Sequence, residues 1–130
     1  MAAISRYASA LDGLARQLAV DPAFVRMRDQ DLRDGQHRND TGRPDYFTTS
    51  YFHRPEDLRT ELETAGFQDV GVFGVEGPGW IVSDFEGRWA DGALRTDIMN
   101  VARALESEPS ILGASAHLLA IGRTSGTDAV

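Results

Sequence analysis

The chain has 130 residues, 42% of them hydrophobic and 25% charged, with a net charge of −7 and no cysteine. That suffices for one domain with a modest core. It excludes disulfides, thiolate nucleophiles and cysteine zinc sites, and the acidic balance excludes a general nucleic-acid surface, which needs clustered cations. All thirteen cations are arginine, which removes Schiff-base and lysine-base chemistry as well. No apolar run is long enough to span a bilayer. Met1–Arg6 also lacks the basic and apolar regions of a signal peptide, so the expected setting is the cytoplasm, without a membrane partner.

Tyr7, Leu11, Leu14 and Leu18 recur at helical spacing and predict an amphipathic helix over residues 5–19. Asp21-Pro22 supplies a cap and a first-turn proline for a second helix, which carries Phe24, Val25, Met27 and Leu32 and ends near Gly35. Residues 35–46 are almost devoid of apolar side chains and read as a polar loop. The aromatic and β-branched run Tyr46–Phe52 suits an extended, partly buried segment. A third helix starts at Arg54-Pro55-Glu56, carries Leu58, Leu62 and Ala65, and stops at Gly66.

Val70, Val72, Phe73 and Val75 predict a strand interrupted by Gly71 and Gly74. Gly77-Pro78-Gly79 turns the chain, and Trp80-Ile81-Val82 continues it. A fourth helix is predicted over residues 93–107, with Leu94, Ile98, Val101, Ala102 and Leu105 on one face. Pro109 ends it. Ala114–Gly122 is nearly all apolar and predicts a strand buried on both faces, and Thr124–Val130 a frayed tail. The order is not the alternating pattern of a self-sufficient α/β domain.

Four stretches carry a resemblance: Tyr51–Leu58, Ala65-Gly66-Phe67, Gly74–Trp80 and Ser110–Leu119. Together with Ile4–Tyr7 and Asp34–Asn39, they resemble the C-terminal half of class I S-adenosylmethionine-dependent methyltransferases, over about residues 3–123. The resemblance implies an α+β fold, a partial Rossmann-like sheet in which 68–76 is strand six, 114–123 strand seven and Met1–Ile4 a stub of strand five. Residues 1–50 would form a helical substrate cover, 51–123 the αβ core and 124–130 a flexible tail. The family's Gly-rich turn after strand one and acidic residue after strand two have no counterpart. Gly77-Pro78-Gly79 opens no helix and is no substitute. No cofactor is therefore expected on this chain alone. In the family strand seven lies between strands five and six, so loss of the neighbouring strands would leave an open apolar edge. That predicts a homodimer, by strand exchange for example, or a complementary chain.

Three groups could carry acid–base chemistry. His37, flanked by Arg38 and Asn39, is the candidate in the polar loop, where it would be a solvent-accessible proton-transfer or ligand group; the alternative is a loop residue with local hydrogen bonds. His53 stands at a helix start, where it could cap, and by resemblance its neighbourhood faces the acceptor pocket. Glu76 follows a strand at its carboxyl end; burial would raise its pKa and suit a general base, whereas turn amides would make it a structural acceptor. His117, inside an apolar strand, reads as a core residue. The histidines lack a metal-binding spacing, and no nucleophile elbow or phosphate loop is present.

Tyr46, Tyr51, Phe52 and Trp80, with Phe47, Phe85 and Trp89, suffice to line an apolar pocket with polar tips. The leading expectation is a methyltransferase-derived protein that binds a small, partly apolar molecule, such as a biosynthetic intermediate, in a retained acceptor pocket. The alternatives are an enzyme independent of S-adenosylmethionine that promotes cyclisation, isomerisation or elimination by proton transfer, and one half of a split methyltransferase.

Overall fold

A computed structural model describes residues 1–124 and Gly126. It contains β1 (Ala2–Ser5), α1 (Ala8–Ala15), α2 (Pro22–Asp34), β2 (Gln36–His37), β3 (Ser50–His53), α3 (Pro55–Thr64), β4 (Phe67–Gly74), α4 (Phe85–Ala90), α5 (Gly92–Leu105) and β5 (His117–Thr124). The class is α+β. The five strands form one mixed sheet in the order β2-β3-β1-β5-β4. β1 runs parallel to β3, with Ile4 opposite Phe52 and Ser5 opposite His53, and antiparallel to β5, with Ala2 opposite Leu119. β4 is antiparallel to β5, so β1, β3 and β4 all end at the same end of the sheet.

The main core follows from the two periodicities. α3 places Leu58 and Leu62, one turn apart, on Val70, Val72, Leu118 and Ala120, which alternate along β4 and β5 and so share a face. Pro55 sits in the first turn of α3, and beyond its last turn Gly66 takes φ +91°. A second core joins Phe24 and Met27 of α2 to Tyr46. The start and stop of α2 are those expected: Asp21 accepts from the Ala23 amide at 2.8 Å, and Gly35 at φ +77° ends the helix.

Several expectations are corrected. The helix over 5–19 is shorter, because β1 runs to Ser5. Its packed face is made by Ala8, Ser9 and Gly13 rather than by the leucine stripe, with Leu14 exposed. A Cβ on Gly13 would come within 2.5 Å of the Phe24 ring, so small residues are what lets α1 and α2 close. The polar loop holds β2 and a 3-10 turn over Pro44–Tyr46, and both His37 and Tyr46 are buried. Trp80-Ile81 belongs to a 3-10 turn over Gly77–Ile81 instead of continuing the strand, and α4 has no counterpart among the expected elements.

β5 is not buried on both faces. Leu118 is fully buried, whereas Leu119 is 37% and Ile121 55% exposed. Residues opposite one another share a face, so Phe73, Leu119, Ile121 and Ala2 form an apolar outer face of the sheet opposite α3. Nor is the far side of β1 wholly open, since β3 pairs with its last two residues. Thr124 closes β5, and the rest of the expected tail, Gly126 apart, lies outside the described residues.

Two glycines separate conformational strain from crowding. Gly35 and Gly42 both have positive φ, but a Cβ at Gly35 would lie 2.3 Å from the Phe52 carbonyl oxygen, whereas at Gly42 it would meet nothing within 4 Å. Gly35→Ala is expected to cost roughly 3 kcal/mol in urea unfolding, and Gly42→Ala about 1 kcal/mol, since only the first adds overlap to strain.

Candidate functional site

Where β4 ends, the chain turns through Gly77 at φ +62° into the 3-10 turn. Ser115 holds this turn: its Oγ accepts from the Glu76 amide at 3.0 Å and the Gly77 amide at 3.3 Å. Trp80 Nε1 donates to the Ala114 carbonyl at 2.8 Å, which fixes the indole. α5 begins at Asp91, whose carboxylate accepts from the Ala93 and Leu94 amides at 2.9 Å, and packs Ile98 and Ala102 against Gly79 and Gly77. Phe85 and Trp89, four residues apart on α4, stack with centroids 5.5 Å apart.

These elements enclose a cavity of about 330 Å³ lined by Val75, Glu76, Gly79, Trp80, Phe85, Trp89, Ile98, Met99, Ala102, Arg103 and Glu106. Its size and its apolar, aromatic wall with a few charged groups are those of a small-molecule site. It opens at the carboxyl end of β4, beside the outer face of the sheet.

Glu76 is the charged group with the most structure around it. Its carboxylate accepts from Ser115 Oγ at 2.9 Å, from the His117 amide at 3.0 Å and from His117 Nδ1 in a short contact. Partial burial works to raise its pKa, but the His117 amide, the His117 ring and the Ser115 hydroxyl outweigh it and hold the carboxyl below its ordinary value. Of the two readings of Glu76, this favours the carboxylate held as an acceptor over the one raised by burial. His117 is likewise no core residue: its side chain is 53% exposed, and Nε2 has no hydrogen-bond partner among the described residues.

Comparison with family models, with curated proteins and with solved structures finds no match to this chain. The site is therefore read from its geometry.

The other candidates expected from the sequence fall elsewhere. His37 is 1% exposed, which corrects its placement in an accessible loop. Its Nδ1 lies 2.9 Å from Asp31 Oδ2 and its Nε2 2.8 Å from the Tyr46 carbonyl, while Ser9 donates to Asp31 at 2.6 Å. The Tyr46 carbonyl can only accept, so Nε2 carries a hydrogen, and Nδ1 is engaged by the Asp31 carboxyl. Burial opposes the charge, but the hydrogen bond to Asp31, its charge and the Tyr46 carbonyl raise the pKa above the ordinary value. The ring also stacks on Phe52, centroids 4.7 Å apart. No ring atom is left to meet a ligand.

Tyr46 is buried, with its hydroxyl donating to Asp21 at 2.7 Å. Asn39 braces its own loop by donating to the Arg43 and Phe47 carbonyls, and Arg38 reaches only Gln36. His53 does not cap α3: its Nε2 lies 3.3 Å from Glu61, and Nδ1 is buried without a partner among the described residues. Tyr51 accepts from Arg6 at 3.0 Å. Of the nine candidates only Glu76 and Trp80 line the cavity. Phe85 and Trp89 stand out in the sequence merely as aromatics, although their four-residue spacing already places them on one helix face. Arg103 and Glu106 escape the sequence reading, and His117 enters it only as a core residue.

The Asp31–His37 pair makes stability depend on pH. The folded pKa of His37 is raised, so its contribution is complete below the unfolded value of about 6.5 and is lost as pH rises through the folded value. Thermal midpoints measured at rising pH should fall across that window, and Asp31→Asn should flatten this component.

Proposed function

We propose that this chain binds a small, planar, partly apolar molecule in the cavity between the Gly77–Ile81 turn, α4 and α5. The observation that carries the reading is the aromatic wall of Trp80, Phe85 and Trp89 around a cavity of about 330 Å³, with Glu76 and Arg103 as polar groups to orient a ligand. The order β1-β5-β4, with β5 antiparallel to both neighbours, supports reading these strands as five, seven and six of a partial Rossmann-like methyltransferase fold. On that reading the chain is methyltransferase-derived, works without S-adenosylmethionine and retains a ligand pocket. The pocket is placed, however, by the segment between strands six and seven rather than by the first two helices. Glu76 in the lining favours a second reading, an acid–base enzyme acting on the molecule held there.

The two tryptophans of the chain, Trp80 and Trp89, both line the cavity, so intrinsic fluorescence reports its occupancy directly. Titration with bicyclic phenols, 2-naphthol first, should quench emission with one-site saturation. Trp89→Ala, a change at a residue 39% exposed and outside the core, should weaken binding about tenfold. An emission spectrum indifferent to such probes overturns the proposal.

The outer sheet face supports self-association as a homodimer, because Phe73, Leu119 and Ile121 form an apolar patch with no helix upon it. Light scattering should give twice the chain mass of 14.2 kDa. Ile121→Glu should return the monomer without unfolding it. A monomeric parent chain would refute this part.

A further inference from the structure

His117 adjoins the cavity through two residues of its lining. Its carbonyl accepts from the Val75 amide at 3.0 Å, and its ring Nδ1 meets the Glu76 carboxylate. A carboxylate can only accept, so Nδ1 carries the hydrogen and, in the neutral ring, the lone pair is on Nε2. That nitrogen faces no partner among the described residues. Glu76 is held in turn by the Ser115 hydroxyl and the His117 amide, and Ser115 is itself fully buried and anchored to the turn amides. The ring is thus oriented by a carboxylate that is oriented by a buried hydroxyl, an arrangement more elaborate than an exposed histidine needs.

We propose that His117 and Glu76 form a proton-transfer pair serving the Trp80–Trp89 cavity, with His117 Nε2 as the base and Glu76 as its positioning residue. The proposal rests on the cavity holding a ligand. Its substrate class is an aromatic or polycyclic molecule with an acidified C–H. The Nε2 lone pair takes that proton, and the electron pair left on carbon expels a leaving group or enters an adjacent carbonyl. The imidazolium formed is stabilised by the Glu76 carboxylate and returns its proton to water or to the rearranged product. Elimination and isomerisation both balance in this way, without an oxidant or co-reactant.

The probe is 5-nitrobenzisoxazole, a planar bicycle whose C–H deprotonation breaks its N–O bond and releases a coloured phenolate. The chain has no lysine to act as a competing base. The wild-type chain should quench its tryptophans with the probe and turn it over ~100-fold faster than free imidazole at equal concentration. His117→Gln should bring the rate to that of buffer. Glu76→Gln, measured at saturating probe, should lower kcat about tenfold whatever its effect on the quenching midpoint, a loss that Glu76→Asp partly restores. Quenching with equal rates in wild type and H117Q overturns the pair while leaving the cavity as a binding site. Absence of quenching overturns both.

Discussion

The β4–β5 half of the sheet is covered on one face only, and several features of the molecule follow from that asymmetry. α3 buries Leu118 and Ala120 of β5 together with Val70 and Val72 of β4, so alternate residues are forced outward. Phe73, His117, Leu119 and Ile121 therefore line up on the other face, where β4 and β5 carry no helix among the described residues. A fully buried leucine contributes about 2 kcal/mol of transfer free energy, and Leu119 and Ile121 obtain only part of theirs. The same register that leaves them exposed carries His117 beside Glu76 and brings Val75 to the cavity mouth. One constraint, the strand period, thus sets the apolar patch, the proton-transfer pair and the edge of the pocket together.

The other half of the molecule is organised around a buried histidine–carboxyl pair. Asp31 and His37 are both fully buried, and such a pair is favourable only when its remaining hydrogen-bonding capacity is met. Here Ser9 and the Tyr46 carbonyl meet it. The four groups come from α1, α2, β2 and the turn before β3, so satisfying one ion pair fixes the relative placement of four segments. Phe52 stacked on the His37 ring ties that cluster to the sheet. This is a use of buried charge for specificity of arrangement, with little net stabilisation implied.

Elements with strong local signals were legible in the sequence: the Asp21 cap, Gly35, Pro55 and Gly66 stand where their chemistry puts them, and α5 forms, although Leu94 and Val101 of its expected apolar face are exposed. The failures share a cause. Periodicity reports which residues are apolar but not whether a covering layer exists, so β5 read as buried on both faces and His117 as core. Composition likewise hid the burial of His37, because the partner that makes it possible, Asp31, lies on the preceding helix and its satisfaction depends on Ser9, 22 residues earlier. Of the candidate site, Glu76 and Trp80 were visible as a carboxylate and an indole after a strand. Arg103 and Glu106 were not, because their relation to the cavity is set by the approach of α5 to Gly77 and Gly79, which no local pattern encodes.

The contrast between two of the three histidine–carboxylate pairs, Asp31–His37 and Glu76–His117, bears on which of them can do chemistry. His37 has both nitrogens engaged, by the Asp31 carboxyl and the Tyr46 carbonyl, and no solvent access, so neither is open to exchange a proton with a bound molecule. His117 has one nitrogen engaged and one free, on a ring that water can reach. Only the second can accept a proton from a bound molecule and release it again. The residue with the more elaborate buried network is thus the structural one, and the residue on the open face of the sheet is the one equipped to cycle.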